Sequence, residues 1–157
     1  MKIGILSDSH DNVPAIKKAI ARFRKEGCKA LLHAGDFCAP FAAKPLKKDW
    51  DGPVIGVFGN VDGERRELAA LLDGVAPGPR MLRLGGKAIA LAHSIDQVTP
   101  AMREAADVVV VGHTHLAGIE EGDPLVINPG ETCGMLYDRI TVATLELASL
   151  TAKILEL

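Results

Sequence analysis

Seven side chains in this sequence can bind metal, and their placement joins them into one candidate site: Asp8, His10, Asp36, Asn60, His93, His113 and His115. They comprise two carboxylates, one amide and four imidazoles, hard oxygen and borderline nitrogen donors with no thiolate among them. Such a set suits manganese, iron, cobalt, nickel or zinc and argues against a structural cysteine-rich zinc site. Seven donors exceed what one four-coordinate ion takes, but they match two ions sharing a carboxylate. Two ions about 3.5–4 Å apart hold the attacking and leaving oxygens of a phosphoryl displacement and bring the pKa of a bound water toward about 7. The chemistry these residues point to is metal-assisted hydrolysis.

Each donor falls at the end of an apolar run. Lys2 to Leu6 stops at Ser7-Asp8, Ala30 to His33 at Gly35-Asp36, Val54 to Phe58 at Gly59-Asn60, Ala88 to Ala92 at His93, and Asp107 to Val111 at Gly112-His113. Runs of this length bounded by turn formers read as buried strands, and ligands of α/β sheets bind outside the carboxyl ends of strands. Gly35, Gly59 and Gly112 allow close backbone approach and sharp turns there. Between the first two runs, Val13, Ile16, Ala19, Ile20 and Phe23 recur at helical spacing, with Asp11 or Asn12 as N-cap and Gly27 beyond the end, which makes a βαβ unit. A second helix is expected over 63–72, with Leu68, Leu71 and Leu72 on one face, and Gly74 to Pro79 reads as a loop. Further on, Leu125 to Ile127, Gly134 to Tyr137, Arg139 to Leu147 and Leu150 to Leu155 read as strands of an antiparallel meander. The expected architecture is a layered α/β protein with two sheets.

The 157 residues carry 18 Lys+Arg against 20 Asp+Glu, a formal net charge of −2, with 48% hydrophobic and 24% charged residues. That composition fits one domain, 1–157, without repeats or linkers. The balanced charge and the lack of a basic run exclude a stable electrostatic binder of nucleic acid or anionic membranes. No stretch approaches the eighteen apolar residues of a membrane span, and the first apolar run is too short for a signal-peptide core. Cys28, Cys38 and Cys133, odd in number and widely spaced, give neither a disulfide framework nor a thiolate metal site. Reduced thiols place the chain in a cytoplasm.

Taken in order, Asp8-Ser9-His10, Gly35-Asp36, Gly59-Asn60-Val61-Asp62, His93 and Gly112-His113-Thr114-His115 resemble the motifs of the calcineurin-like metallophosphoesterases. Asn128-Pro129-Gly130 resembles the turn after the last metal motif in the small bacterial and archaeal phosphodiesterases of that superfamily. The resemblance implies a four-layer fold, a two-sheet β-sandwich flanked by helices, with a dinuclear metal site at the carboxyl ends of the strands. It implies two divalent transition-metal ions, manganese foremost, with nickel, iron, cobalt and zinc as alternatives. Asp8, His10 and His115 would hold the first ion and Asn60, His93 and His113 the second, with Asp36 bridging. The expected reaction is hydrolysis of a small phosphate ester, nucleotides among the candidates, by attack of a hydroxide that bridges the ions, with Asn60, Asp62 and His93 assisting. The alternative is a protein-binding scaffold without turnover, since the retromer scaffold subunit is similar to this family in fold.

Departures from the family pattern carry their own expectations. Val61 stands where many members have the histidine that protonates the leaving group, so diesters and good leaving groups should be favoured over alkyl monoesters. Asp62 is the candidate proton donor, or else it orients His10 or another ligand through a hydrogen bond. His93-Ser94-Ile95 lacks the usual Gly and His, and Glu131 follows Asn128-Pro129-Gly130 where Ser is usual, either to repel a phosphate or to hold a basic partner. His33 reads as a core or ligand-supporting histidine, and Cys38 as a small buried hydrophobe. Trp50 reads as packing or a pocket wall. Arg65, Arg66 and Arg103 read as solvated helix faces, with phosphate contact the alternative. The C-terminal strands carry apolar residues of both parities, Ile140 and Val142 against Leu145 and Leu147, which a bulge, two-faced burial or a homodimer contact would explain.

Overall fold

The computed structural model describes residues 1–157. Its first half repeats one unit, strand then helix, and the residue periods show why. In β1 (Lys2–Leu6) every residue after Lys2 is buried, Ile3 and Ile5 toward one side and Leu6 toward the other. α1 (Val13–Lys25) begins at Asn12, whose Oδ1 accepts the Ala15 N–H at 3.1 Å, and ends with Arg22, Arg24 and Lys25 against the negative end of its dipole. It buries Ile16, Ile20 and Phe23 on the first sheet. Next come β2 (Ala30–His33), α2 (Pro40–Lys48), β3 (Val54–Val57), α3 (Arg65–Leu71) and β4 (Val75–Ala76). The chain then forms β5 (Arg80–Leu84), β6 (Lys87–Leu91), a 3₁₀ turn at Ile95–Gln97, α4 (Pro100–Ala105), β7 (Val108–Val110), β8 (Gly118–Glu120) and β9 (Leu125–Asn128). It returns to the first sheet as β10 (Thr141–Glu146) and β11 (Thr151–Glu156).

The six-stranded sheet runs β11-β10-β1-β2-β3-β4 and the five-stranded sheet β5-β6-β7-β9-β8. Strands β1 to β4 are mutually parallel, as are β6, β7 and β9, while β10 lies antiparallel to β1. Between the sheets lies one apolar layer, with Ile3, Ile5, Leu32 and Leu145 meeting Ile89, Val108, Val110 and Ile127. Helices α1, α2 and α3 cover the outer face of the first sheet, and α4 covers the second through Met102 over Val109 and Val126. This is the expected sandwich of two sheets flanked by helices. Val108 and Val110 face the other sheet while Val109 and Val111 face the helix side, so β7 is apolar at every position because both of its faces are covered. No helix is long and apolar enough to cross a membrane.

Three local expectations need correction, and one helix was not expected. The chain after Leu125 is a meander only in its last part: β10 and β11 pair antiparallel as expected, but β9 pairs parallel with β7, Val108 opposite Leu125, a long-range choice that local alternation does not encode. Gly134 to Tyr137 forms no strand, because the Leu136 and Tyr137 amides donate to the Glu131 carboxylate. The Gly74–Pro79 loop contains β4, a two-residue edge held by Gly56 opposite Val75. Helix α2 is disguised by its prolines: Pro40 suits a first turn, while Pro45 would ordinarily argue against a helix interior. The mixed parity of the C-terminal strands comes from two-faced burial, with Val142 under the helices and Ala143, Leu145 and Leu147 between the sheets.

Candidate metal centre

All seven sequence-selected donors meet beyond the carboxyl ends of β1, β2, β3, β6 and β7. Five of them, Asp8, His10, Asp36, His113 and His115, have positive φ, from 37° at His10 to 70° at His113. Left-handed backbone at the strand end turns each side chain back over the sheet edge, and Asp and His are among the residues that tolerate it. The turn also separates His113 from His115, which would share a direction on extended backbone.

The donors fall into two halves. In one, His10 and His115 stack with centroids 5.1 Å apart and Nε2 atoms 3.4 Å apart. Asp8 Oδ1 lies 3.5 Å from His115 Nε2 and 4.0 Å from His10 Nε2. In the other half, Asn60 Oδ1 sits 2.8 Å from His93 Nε2 and 3.1 Å from His113 Nδ1. Asp36 reaches both, its Oδ2 being 3.7 Å from His10 Nε2 and 3.4 Å from His93 Nε2.

Burial raises the Asp8 carboxyl above its ordinary pKa, against the hydrogen bond from Ser7 and the charges of His115 and His93. Asp36 goes the other way: burial pushes it up, but the His93 contact, the Val61 N–H at 3.1 Å and the nearby rings carry it below the usual range. For His93 burial disfavours the charged ring, yet Asp36 and the Ala34 carbonyl lift its pKa overall. Asp8 Oδ1 is fully buried and has no hydrogen-bond partner. A stranded carboxylate oxygen in a dry site costs free energy, and a divalent cation among Asp8, His10 and His115 would satisfy it. The donor set therefore fits the ions that the motifs imply.

Neighbouring residues hold the donors in place. Two glycines stand where backbone must pass close to a carboxylate: a Cβ at Gly59 would overlap Asp36 Oδ1, and one at Gly112 would overlap Ser7 Oγ and crowd Asp8 Oδ2. Asp62 is 3% exposed, and its two oxygens accept N–H bonds from Asp36 (3.1 Å), Cys38 (2.8 Å) and Gly59 (2.7 Å). It ties the Asp36 loop to the Asn60 loop. Arg65 is exposed, as a solvated face requires, but its guanidinium donates to the Asp62 and Gly59 carbonyls, both at 2.9 Å, and lies over the Phe58 ring. His33 is wholly buried against Phe37, with Nε2 3.1 Å from Ser9 Oγ and Nδ1 accepting the Gly35 N–H, and burial pushes its pKa down to about 3.

Glu131 resolves the choice left open for it in favour of the basic partner. Its Oε2 lies 2.7 Å from His115 Nδ1, and the carboxylate accepts the Leu136 and Tyr137 amides. Burial works to raise its pKa, but His115 and those amides bring it below the ordinary value. The carboxylate turns His115 so that Nε2 faces Asp8. Asn128 donates to the Gly112 carbonyl at 3.0 Å and to Thr114 Oγ1 at 2.9 Å, so the Asn-Pro-Gly turn clamps the loop that carries both histidines. Sequence reasoning passed over one residue here, Cys133, whose sulfur lies within 4.8 Å of a ring nitrogen of both His10 and His115. The only signal was its place five residues beyond Asn128.

Over residues 1–150 the chain matches the family model described as the calcineurin-like phosphoesterase superfamily domain. This chain belongs to that superfamily. It is 36% identical over 155 residues to phosphodiesterase MJ0936 of Methanocaldococcus jannaschii, with 93% of each chain covered. A solved structure of an archaeal phosphodiesterase superposes with TM-score 0.89 at 34% identity, covering 100% of both chains. Vacuolar protein sorting 29 from Cryptosporidium parvum shares the fold at TM-score 0.64 and 18% identity, covering 99% of this chain and 96% of that one. The chain thus sits in a metal-dependent phosphoesterase family with its candidate donors gathered at one sheet edge.

Proposed function

We propose that residues 1–157 form one cytoplasmic domain that acts as a dinuclear metal-dependent phosphodiesterase on a small phosphate ester, with nucleotides among its substrates. The observation that carries this reading is the convergence of Asp8, Asp36, Asn60 and four histidines on one spot, with Asp8 Oδ1 buried and unpartnered. A scaffold has no chemical need for such a set. Asp8, His10 and His115 would hold one ion, Asn60, His93 and His113 the other, and Asp36 both, with manganese as the working metal. When bound, the two ions supply an activated water nucleophile and positive charge for the phosphate.

The protein's own groups do the rest. The Val61 N–H on Asp36 Oδ1 leaves Oδ2 free to face both halves. His93 directs Nδ1 at the Ala34 carbonyl, 2.8 Å away, so its ring serves as a ligand with no proton to spare for a leaving group. Asp62, with both oxygens accepting backbone N–H bonds, is a positioning residue. Val61 offers no acid at the exposed lip of the site, so the leaving group must depart with little protonation. That condition favours aryl and other good leaving groups.

The deciding experiment strips the protein of metal, adds back Mn, Ni, Zn or Mg, and follows an aryl phosphodiester beside Asp36→Asn and His113→Ala. Activity restored by a transition metal and lost in both variants is expected; wild-type activity unchanged in both overturns the assignment. Alkyl phosphomonoesters should turn over more slowly than aryl diesters, and equal rates would refute the role given to Val61.

A further inference from the structure

We propose that the Cys133 thiolate is an additional donor to the ion held by Asp8, His10 and His115, so that the two metal positions differ in softness. The inference rests on the dinuclear reading and adds to it a ligand that the motifs do not contain. Three independent observations support it. Cys133 Sγ and one nitrogen from each of His10 and His115 all lie within 4.8 Å of one another, close enough for a single ion to span them. Asp8 Oδ1, fully buried and without a partner, lies 3.5 Å and 4.0 Å from the Nε2 atoms of those same two histidines. The backbone of Cys133 is pinned beside them: its N–H donates to the Asp8 carbonyl at 3.0 Å, and its own carbonyl accepts Asn12 Nδ2 at 2.8 Å. Asn12 also caps α1, so the strand-to-helix turn that carries Asp8 and His10 carries the thiol's anchor as well.

Without an ion the thiol donates to Glu131 Oε2 at 3.4 Å. Coordination replaces the S–H bond with a sulfur–metal bond, and the proton leaves to solvent with Glu131 as its nearest acceptor. Cys38 is a different case, since its sulfur sits 3.4 Å from Nδ1 of His10, the nitrogen that faces away from the cluster. Thiolate donors select zinc, cobalt or iron over manganese and magnesium. The second position offers only imidazoles, the Asn60 amide and the shared Asp36 carboxylate, and it keeps no such bias. The consequence is a mixed pair, a softer ion beside Cys133 and a harder one beside Asn60, which confines the manganese of the proposed function to the Asn60 position.

Cobalt(II) added to the metal-stripped full-length protein tests this without reference to turnover. Filling the first position should produce a sulfur-to-cobalt charge-transfer band in the near ultraviolet along with the visible d–d bands. In Cys133→Ser and in Cys133→Ala the near-ultraviolet band should vanish while visible bands and far-ultraviolet circular dichroism persist; in Cys38→Ser the band should remain. Two cobalt ions bound with visible bands but no sulfur band in the wild type would overturn the thiolate donor and leave the dinuclear reading standing. A sulfur band that survives in Cys133→Ser would overturn it too. If no cobalt binds at all, both readings fall.

Discussion

The two halves of the candidate metal centre use similar side chains and are supported by different chemistry. Behind His93 stands a neutral group, the Ala34 carbonyl; behind His115 stands a buried carboxylate, Glu131. The flanks differ as well. Beside His93 and His113 a cavity of about 450 Å³ is lined by Asn60, Arg65, Ser94 and Gln97. Beside His115 a cavity of about 440 Å³ is lined by Leu116, Tyr137, Ile154 and Arg139. A diester has two substituents on one phosphorus, and this site offers one polar and one largely apolar neighbour. The contrast teaches that a set of matching ligands does not make two equivalent positions, because what stands behind each ring sets its orientation and basicity.

Asp36→Asn should erase the contrast, because Asp36 faces both halves. The expected loss is at least about 10³-fold in kcat, several kcal/mol of charge stabilisation, read from diester turnover together with a metal count. Retention of both ions and of activity would mean that the halves do not share this carboxylate. Glu131→Gln should act on one half only. One of two ions should bind about 10- to 100-fold more weakly, with the other unchanged, in a calorimetric titration; equal weakening of both would dissolve the comparison.

Asp62→Asn sits beneath the loops of Asp36 and Asn60. Only one side-chain oxygen then remains, so an amide NH₂ must face either the Cys38 N–H or those of Asp36 and Gly59, which should cost about 1–3 kcal/mol of stability, seen in urea unfolding. The basic limb of the pH–rate profile should keep its shape, and losing that limb would restore Asp62 as a proton donor. An effect confined to acid pH is expected at His33, which lies under Ser9 on the other side. Its folded pKa of about 3 lies below the unfolded value of 6.5, so the unfolded chain binds the extra proton. The stability it contributes is fully present above pH 6.5 and declines as pH falls from there toward 3. His33→Gln should flatten that part of the stability–pH curve, and an unaltered acid limb would show that another group is responsible.

How much of this was legible in the sequence depends on the range of the interaction. Apolar runs ending in Asp, Asn or His announced the strands and the donors, because both features lie within a few consecutive residues. The cap of α1 was legible to within Asp11 or Asn12 for the same reason. The partnership of β7 with β9 was not, since a strand buried on both faces reads alike whether its neighbour is parallel or antiparallel. Arg65 looked like a surface residue beside Glu64 and Glu67, and only the fold brings the carbonyls of Gly59 and Asp62 within its reach. Cys133 looked inert because its partners, His10 and His115, are remote from it in the chain, and an odd cysteine count carries no spatial information.

The left-handed backbone at five of the seven donors has a consequence for descent. Each such residue costs on the order of 1 kcal/mol relative to glycine, so ligation opposes the local preference of the chain at Asp8, His10, Asp36, His113 and His115. A copy released from chemistry would shed that backbone cost wherever one of these residues became glycine, while giving up bonds such as the Val61 N–H on Asp36 and the His113 N–H on Asp8. Each return to a ligand would have to take the backbone cost on again.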